Sequence, residues 1–365
     1  MRSILITSRD PILNKSNPTG PGKSIQLIIP IIKNKYKIYL LTTKSKHIFF
    51  YVYNHKKNLF EKKKKFDFLK YRYDLVYING IFSILFSFMP LFLKTKFYIS
   101  PRGMLGDEAF EFKTLRKKIY TFFLKYLIIK KDVSFISSSR KETQEIKVFL
   151  KKTNYNKIFE IGNLTGLKKK NKKINIYTKN FNNKKKFKFI TPSTISRKKN
   201  LLNTIKALHK LQSKINFEYD IYGSINDQKY YNEIKKYLRI NKITNINVKP
   251  PLSNKELINK LNNYDAMLLF TRGENFGHVI PESAKALLPF LISNKTPWNF
   301  FDKYFFGLIC DENLLISIKN CIFNFTKLNQ NEILRLKKSI QRFYNDIVEI
   351  ERDNIEKFRT LFKKN

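Results

Sequence analysis

Short apolar runs alternate with longer mixed stretches along the first part of the chain. Apolar runs of four or five residues are typical of buried strands, whereas the mixed stretches have the length of helices. The runs predict strands over residues 4–7, 39–42, 75–78, 97–100 and 133–137. We predict a polar loop over 8–22, a helix that opens at Ser24 and is kinked or ended by Pro30, and helices over 113–127 and 141–150.

The same alternation resumes after a polar, lysine- and asparagine-rich stretch that ends at Lys186 and that we interpret as a linker. Predicted strands cover 187–191, 218–222, 246–249, 266–270 and 290–293, and predicted helices cover 201–211, 230–238, 255–261 and 332–362. Strands that alternate with helices favour parallel, doubly wound α/β sheets. Because 365 residues are many for one core, we predict two such domains, 1–180 and 181–345. A helix over 346–365 is expected to follow them and to pack back on the first domain.

The chain is strongly basic, with 72 Lys and Arg against 28 Asp and Glu and a formal net charge of +44. Such an excess indicates an anionic partner: nucleic acid, an acidic membrane surface or a phosphorylated substrate. The alternative is compositional drift, since Lys, Asn, Ile, Phe and Tyr are frequent throughout. Cys310 and Cys321 have neither metal-ligand spacing nor the pattern of a disulfide framework, which favours a reduced, cytoplasmic setting.

The segment from Thr271 to Glu282 carries the most specific chemistry. Glu274 and Glu282 are separated by seven residues and follow the predicted strand 266–270. Glu282 falls in the first turn of a helix that Pro281 helps to start. Open α/β sheets bind ligands at the carboxyl ends of their strands, where carboxylates accept hydrogen bonds from sugar hydroxyls. The alternative is that these carboxylates only cap a helix.

Three further segments follow predicted strands. Arg197 and Lys199 belong to three consecutive cations before a predicted helix, which favours an anion there, although solvated lysines are the alternative. Arg102 beside Gly103 suits recognition of a phosphate or carboxylate. The alternative is that Arg102 is a surface arginine in a turn. Gly20 and Gly22 indicate a loop that offers backbone N–H groups to a substrate; the spacing does not fit a P-loop.

Two segments bear on membranes. Residues 75–93 are apolar but interrupted by polar residues, glycine and proline, so we predict a strand, a turn at Asn79–Gly80 and an apolar helix rather than a span. The helix over 113–127 is basic and amphipathic. It either lies on an anionic membrane surface or packs on its own sheet with its cations solvated.

Taken together, these motifs resemble the retaining GT-B glycosyltransferases of family 4, the group 1 glycosyl transferases, over nearly the whole chain. Glu274 to Glu282 matches that family's E-x7-E motif, and 193–201 resembles its phosphate loop. The stretches 74–79, 100–105 and 293–298 resemble motifs of members that build bacterial surface polysaccharide. The resemblance implies a GT-B fold, in which two doubly wound Rossmann-like domains, the first binding the acceptor and the second the nucleotide sugar, face each other across a cleft.

The resemblance also implies roles for individual residues. Glu282 would accept hydrogen bonds from the ribose, Glu274 would contact the donor sugar, and Lys199 with backbone N–H groups near Phe276 and Gly277 would stabilise the departing diphosphate. The remaining predicted site residues are Arg102 with the catalytic groups, Asn275, His278, Ser193, Thr194 and Arg197 with the donor, and Gly20, Gly22 and Gly103 with the acceptor and its phosphate. No metal or cofactor is expected.

The chain departs from the family pattern at four positions. Thr194 stands where the family usually has a phosphate-binding arginine. Whether Arg197 takes over that role is left open by the sequence. Arg102 and Ile136 stand where relatives often have histidine. Leu287 replaces a glycine that usually ends the helix after Glu282, a position suited to positive φ.

The sequence therefore predicts a metal-independent, retaining glycosyltransferase acting on a lipid-linked, lipopolysaccharide or capsule glycan. Its expected partners are a nucleotide-sugar donor, a glycan acceptor and an anionic membrane, at the inner face of a bacterial plasma membrane. Two alternatives stay open: a basic nucleic-acid-binding protein, which the ordered motifs disfavour, and a non-catalytic glycosyltransferase relative.

Overall fold

The computed structural model describes residues 1–13, 20–44, 47–106, 114–150, 157–168, 186–298 and 307–363. The chain forms two compact units: Met1–Gly166 with Glu351–Asn365, and Leu167–Ile350. Each unit is built around its own sheet. The linker expected over the residues before Lys186 lies mostly outside the described residues.

The first unit contains an eight-stranded sheet in the order β4-β3-β2-β1-β5-β6-β7-β8. Its strands are β1 Arg2–Ser8, β2 Tyr36–Lys44, β3 His47–Asn54, β4 Leu59–Lys63, β5 Leu75–Asn79, β6 Lys96–Ser100, β7 Val133–Ser137 and β8 Ile158–Glu160. All neighbouring strands pair in parallel except β2–β3 and β3–β4, which are antiparallel. Five of the parallel strands match the sequence prediction, whereas β3, β4 and β8 were not predicted.

The second unit contains a six-stranded parallel sheet in the order β11-β10-β9-β12-β13-β14. Its strands are β9 Phe187–Pro192, β10 Phe217–Tyr222, β11 Ile246–Lys249, β12 Ala266–Leu269, β13 Phe290–Ser293 and β14 Gly307–Cys310. The strands β12 and β13 are buried on both faces, so their side chains are apolar in succession rather than alternately. The prediction of α/β sheets is confirmed; the sheet of this unit is fully parallel, whereas that of the first unit is mixed. Only β14 was missed in this unit.

Helices cover the faces of both sheets. Within the described residues, the α-helices are Gly20–Ile32, Thr114–Ile129, Arg140–Leu150, Leu201–His209, Gln228–Ile240, Asn254–Leu261, Val279–Lys285, Leu315–Lys327 and Gln330–Leu361. The first helix starts at Gly20 rather than Ser24 and continues past Pro30 to Ile32, so the polar loop predicted through residue 22 was too long. Proline lacks the N–H needed inside a helix, but only two residues follow it here.

The apolar segment after β5 forms short turns instead of the continuous helix that we predicted. Gly80 has φ +91°, and a π-helical turn at Ile84–Phe88 leads into a 3-10 turn at Met89–Phe92. Among the described residues, no helix is long and apolar enough to cross a membrane.

The last helix belongs to both units, with Glu351 as its first residue in the first unit. The Glu351 carboxylate accepts hydrogen bonds from the backbone N–H groups of Thr165 and Gly166, at 2.6 and 2.8 Å. Farther along, Phe358 and Phe362 are buried in the core on one face of the first sheet. The end of the chain thus completes the core of the unit in which the chain begins.

Candidate functional site

Two loops at the carboxyl edge of the second sheet are hydrogen-bonded to each other. The loop after β9 contains Lys198, whose carbonyl oxygen accepts from the backbone N–H of Arg272 at 2.9 Å and from the Thr271 hydroxyl at 2.9 Å. The Thr271 hydroxyl also accepts from the N–H of Gly273 at 3.3 Å within its own turn, and the Thr271 carbonyl accepts from the Ser293 hydroxyl at 2.6 Å. The structure therefore joins the segment that resembles a phosphate loop to the segment that carries the two carboxylates.

Lys199 and Glu274 form an ion pair between these loops, with Lys199 Nζ donating to Glu274 Oε2. Their side chains are only 18% and 15% exposed, so the pair is largely removed from water. Burial by itself would raise the pKa of Glu274, but the charge and hydrogen bond of Lys199, the charge of Lys198 and the N–H of Asn275 outweigh it and lower that pKa. Glu274 is therefore a carboxylate at neutral pH, beside a cation.

A tight turn places the residues that follow Glu274. Gly277 has φ +72°, and a Cβ there would lie 3.0 Å from Glu274 Cγ, so a side chain would crowd the carboxylate. Phe276 contacts the ring of Trp298 at 5.1 Å between centroids and accepts a hydrogen bond from the indole N–H. Asn275 is exposed, and His278 lies against Phe276 with ring centroids 4.7 Å apart. The turn is thus held by packing on its inner side and open at Asn275.

Glu282 lies in the helix Val279–Lys285 and is 7% exposed. It follows Pro281, as the sequence predicted. Leu287, just beyond this helix, has φ +53°. The family pattern implied a positive φ at this position, and the structure confirms it, with leucine in a conformation that costs L-residues about 1 kcal/mol or more.

The loop after β9 holds the remaining predicted donor residues of this unit. Ser193 donates its N–H to the carbonyl of Tyr222 at 3.0 Å, and Thr194 is partly buried. Arg197 does not reach Glu274: it pairs with Glu233 and lies over the ring of Tyr230 at 5.2 Å from the guanidinium carbon to the centroid. The structure thus brings Lys199 and Glu274 together, while Arg197 faces the helix Gln228–Ile240.

Sequence reasoning missed Gly223, which permits the close approach of the loops after β9 and β10. A Cβ at Gly223 would lie 1.8 Å from the carbonyl oxygen of Ser193. The sequence signal was a glycine directly after a predicted strand, which marks close backbone approach.

Arg102 lies in the first unit, 7% exposed and with φ +59°. Its guanidinium donates to Asn79 Oδ1 at 2.7 Å, to the Tyr77 hydroxyl at 3.0 Å and to Asn163 Oδ1. Arg102 is therefore a buried hub rather than a surface arginine in a turn. It joins the ends of β5 and β6 to the segment after β8.

The predicted glycines of the first unit lie near this hub. The N–H of Gly103 donates to the buried carboxylate of Glu142 at 2.5 Å, and Glu142 was not predicted to matter. Gly20 and Gly22 occupy the first turn of the helix Gly20–Ile32, where Pro21 accepts at its carbonyl from the Asn79 amide at 3.3 Å. These residues meet at the carboxyl edge of the first sheet.

Within the part of the chain that the structure describes, no group of three or more His, Cys, Asp or Glu side chains is arranged to hold a metal ion. Metal independence itself stays a prediction.

Residues 172–322 match the family of Glycosyl transferases group 1. This region contains both Glu274 and Glu282 and lies entirely within the second unit. No protein with a curated description matches the sequence significantly.

Solved structures resemble the whole chain at low sequence identity. Sucrose-phosphate synthase from Thermosynechococcus elongatus has a TM-score of 0.73 at 12% identity, covering 100% of both chains. HepE from Anabaena, solved with UDP and glucose, has a TM-score of 0.71 at 13% identity, covering 99% of this chain and 100% of its own. WaaG, a glycosyltransferase involved in lipopolysaccharide biosynthesis, has a TM-score of 0.66 at 10% identity, covering 97% and 98%.

The expected fold is thus confirmed: the chain has the GT-B fold of glycosyltransferases, and its second unit contains a glycosyl transferases group 1 domain.

Proposed function

We propose that this chain transfers a sugar, with retention of anomeric configuration, from a nucleotide-sugar donor to a glycan acceptor. The observation that carries the proposal is the largely buried Lys199–Glu274 pair inside a group 1 glycosyl transferase domain. A lysine beside a carboxylate offers one cation for a phosphate and one acceptor for sugar hydroxyls. A uridine nucleotide is the first donor class to test, because HepE was solved with UDP and glucose.

In the proposed reaction, the bond between the anomeric carbon and the diphosphate oxygen breaks while the acceptor oxygen attacks from the same face. The acceptor's proton passes to the leaving phosphate, so no protein nucleophile is required. Lys199 and the backbone N–H groups of Phe276 and Gly277 stabilise the negative charge on the diphosphate. Glu274 contacts the donor sugar, and Glu282 accepts hydrogen bonds from the ribose hydroxyls.

We assign Asn275, His278, Ser193 and Thr194 to the surroundings of the donor, and Arg102, Gly20, Gly22 and Gly103 to the acceptor or its phosphate. The proposed acceptor is a lipid-linked, lipopolysaccharide or capsule glycan, which places the protein in the cytoplasm at the inner face of a bacterial plasma membrane. WaaG supports this class, since it is a structural neighbour involved in lipopolysaccharide biosynthesis.

A screen of nucleotide sugars for donor hydrolysis and for thermal stabilisation tests the proposal. We expect hydrolysis of one donor class and none by the variant Lys199→Met. Stabilisation without hydrolysis would instead favour a non-catalytic relative. This alternative stays open because Arg197, which could replace the missing arginine at Thr194, pairs with Glu233. Binding of nucleic acid with no response to any nucleotide sugar would overturn the proposal.

The assignment of Glu282 has its own test. We expect Glu282→Ala to weaken donor binding by roughly 1.5–3 kcal/mol, because the ribose loses a charged acceptor. Isothermal calorimetry measures this, with Glu218→Ala, near the start of β10 in the same unit, as a control. Unchanged donor affinity in Glu282→Ala would remove the assignment.

Metal independence is tested by assaying the purified protein with a chelator of divalent ions. We expect full activity, because cations and backbone N–H groups replace the metal at the diphosphate. A strict requirement for a divalent ion would contradict the proposed chemistry.

A further inference from the structure

The helix Thr114–Ile129 is apolar on two opposite sides. Leu124 and Ile128 are buried in the core of the first unit. An outer stripe of Ile119, Phe122, Phe123, Tyr126 and Ile129 is at least half exposed, and Phe122 is 71% exposed. The outer residues recur at the i, i+3, i+4 and i+7 spacing of one helix face. A surface helix normally turns polar residues outward, so this outer stripe indicates a partner surface.

The same helix contacts the segment after β5. Tyr120 contacts Phe88 at 6.0 Å between ring centroids, and its hydroxyl donates to the carbonyl of Ser83 at 3.0 Å. That segment exposes Ile84 to 67% and Phe92 to 62%. The opposite face of the first sheet is covered by Gly20–Ile32 and the chain's last turns. Among the described residues of those two stretches, no large apolar side chain is exposed in this way.

The charge of this part of the chain indicates an anionic partner. Residues 114–131 contain six Lys or Arg and no Asp or Glu. Lys130 lies over the ring of Tyr126 at 4.3 Å, which places a cation and an aromatic ring side by side at the surface. Protein–protein interfaces are depleted in lysine, whereas exposed aromatics flanked by lysines are typical of helices that lie in the headgroup region of anionic membranes.

We propose that the outer stripe, with Ile84 and Phe92, inserts into the surface of an anionic lipid bilayer, with the neighbouring cations on the headgroups. This inference deepens the membrane part of the proposed function and rests on it only for the acceptor's location. It also changes the expectation from sequence, in which the helix either lay on the membrane or packed on its own sheet. The structure shows that the helix packs inward and still presents apolar side chains outward.

Co-sedimentation of the full chain with vesicles of phosphatidylglycerol and phosphatidylcholine tests the proposal. We expect binding to anionic vesicles that weakens but persists at about 1 M salt, where charges are screened beyond about 3 Å. In the variant Phe122→Ser/Phe123→Ser, we expect at least a tenfold loss of partitioning and full release by salt. The control variant Ile240→Ser/Ile316→Ser removes two comparably exposed apolar side chains from the second unit, and we expect it to bind like the parent.

Several outcomes would overturn the inference. Equal partitioning of the Phe122→Ser/Phe123→Ser variant and the parent would show that the stripe does not insert. Complete release of the parent by salt would leave only the electrostatic attraction. A parent that sediments as a dimer without lipid, and a variant that is monomeric, would assign the stripe to a second copy of the chain.

Two controls distinguish a loss of membrane insertion from misfolding and from a loss of sugar transfer. Because both phenylalanines point outward, we expect the variant to unfold at the same temperature as the parent, which would show that it is folded. Donor hydrolysis in solution is expected to be the same in variant and parent, so failure of membrane insertion is distinguishable from failure of the proposed sugar transfer.

Discussion

At the residue scale, the ion pair of Lys199 and Glu274 links the site to the stability of the second unit. The pKa of Glu274 lies below its usual value of 4.5, so the unfolded chain takes up the proton first as the pH falls. The stability from this carboxylate is therefore fully present above about 4.5 and is lost as the pH drops through the lowered pKa.

We expect Glu274→Gln to remove this part of the acid sensitivity and to lower stability at neutral pH by about 3 kcal/mol, because Lys199 loses its buried partner. Urea unfolding of parent and variant between pH 3 and 7 measures the difference in their free energies of unfolding. Taking this difference cancels the contribution of the other carboxylates. An equal pH slope in the two proteins would show that the pair is not formed.

The second residue-scale prediction concerns Gly223. A Cβ at this position would lie 1.8 Å from the backbone oxygen of Ser193, and backbone cannot move aside as a side chain does. We expect Gly223→Ala to destabilise the second unit by about 3 kcal/mol or more. Gly106→Ala is the matched control, because there the nearest atom is the end of the flexible Glu145 side chain at 2.8 Å. Similar losses in both variants, measured by thermal unfolding, would contradict this account.

At the scale of elements, the sequence predicts those strands and helices that apolar runs and strand–helix alternation reveal. The central strands of both sheets are largely buried and were predicted from their apolar runs alone. The strand β4 was missed because it lies at the sheet edge and carries Glu61, Lys62 and Lys63, so it shows no buried run. Its partner β3 was missed although residues 48–53 form an apolar run. Gly223 and the Arg102 hub depend on contacts between residues far apart in sequence, which periodicity does not report.

The end of the helix Gln228–Ile240 offers a test of one element. Lys242 has φ +50°, and the N–H groups of Lys242 and Ile243 donate to the carbonyls of Arg239 and Leu238 at 3.2 and 3.0 Å. This is the Schellman arrangement, in which glycine is favoured at the residue with positive φ. We expect Lys242→Gly to raise the free energy of unfolding by about 0.5–1 kcal/mol. Lys242→Ala removes the same charge but keeps the unfavourable φ, so a gain of equal size in that control would point to charge instead.

At the scale of the whole molecule, the sequence predicted two α/β units and the alternation of their elements. It also predicted that the helix over 346–365 packs back on the first domain, but not which of its residues are buried there, because a charged amphipathic helix can pack on many surfaces. The structure assigns Glu351–Asn365 to the first unit, where the Tyr36 hydroxyl donates to the carbonyl of Phe362 at 3.1 Å. The core of the first unit is therefore complete only with the last residues of the chain.

Removal of residues 351–365 tests this dependence. The deletion takes Phe358, Leu361 and Phe362 out of the core, each at most 5% exposed in the parent, and large-to-small changes at such positions cost about 2–5 kcal/mol each. Their sum rivals the total stability of a typical domain, roughly 5–15 kcal/mol, so we expect the first unit to unfold.

The second unit keeps all of its own residues in the truncated chain, which makes the two units separable by experiment. We expect limited proteolysis to degrade the first unit and to leave a fragment close to Leu167–Ile350, whereas the parent resists under the same conditions. Glu351→Gln is the milder variant, since it keeps the apolar contacts and loses only the charge that Thr165 and Gly166 donate to; we expect it to lower stability without unfolding the unit. A first unit that stays protected after the deletion would mean that Phe358, Leu361 and Phe362 cover the core without being needed for it.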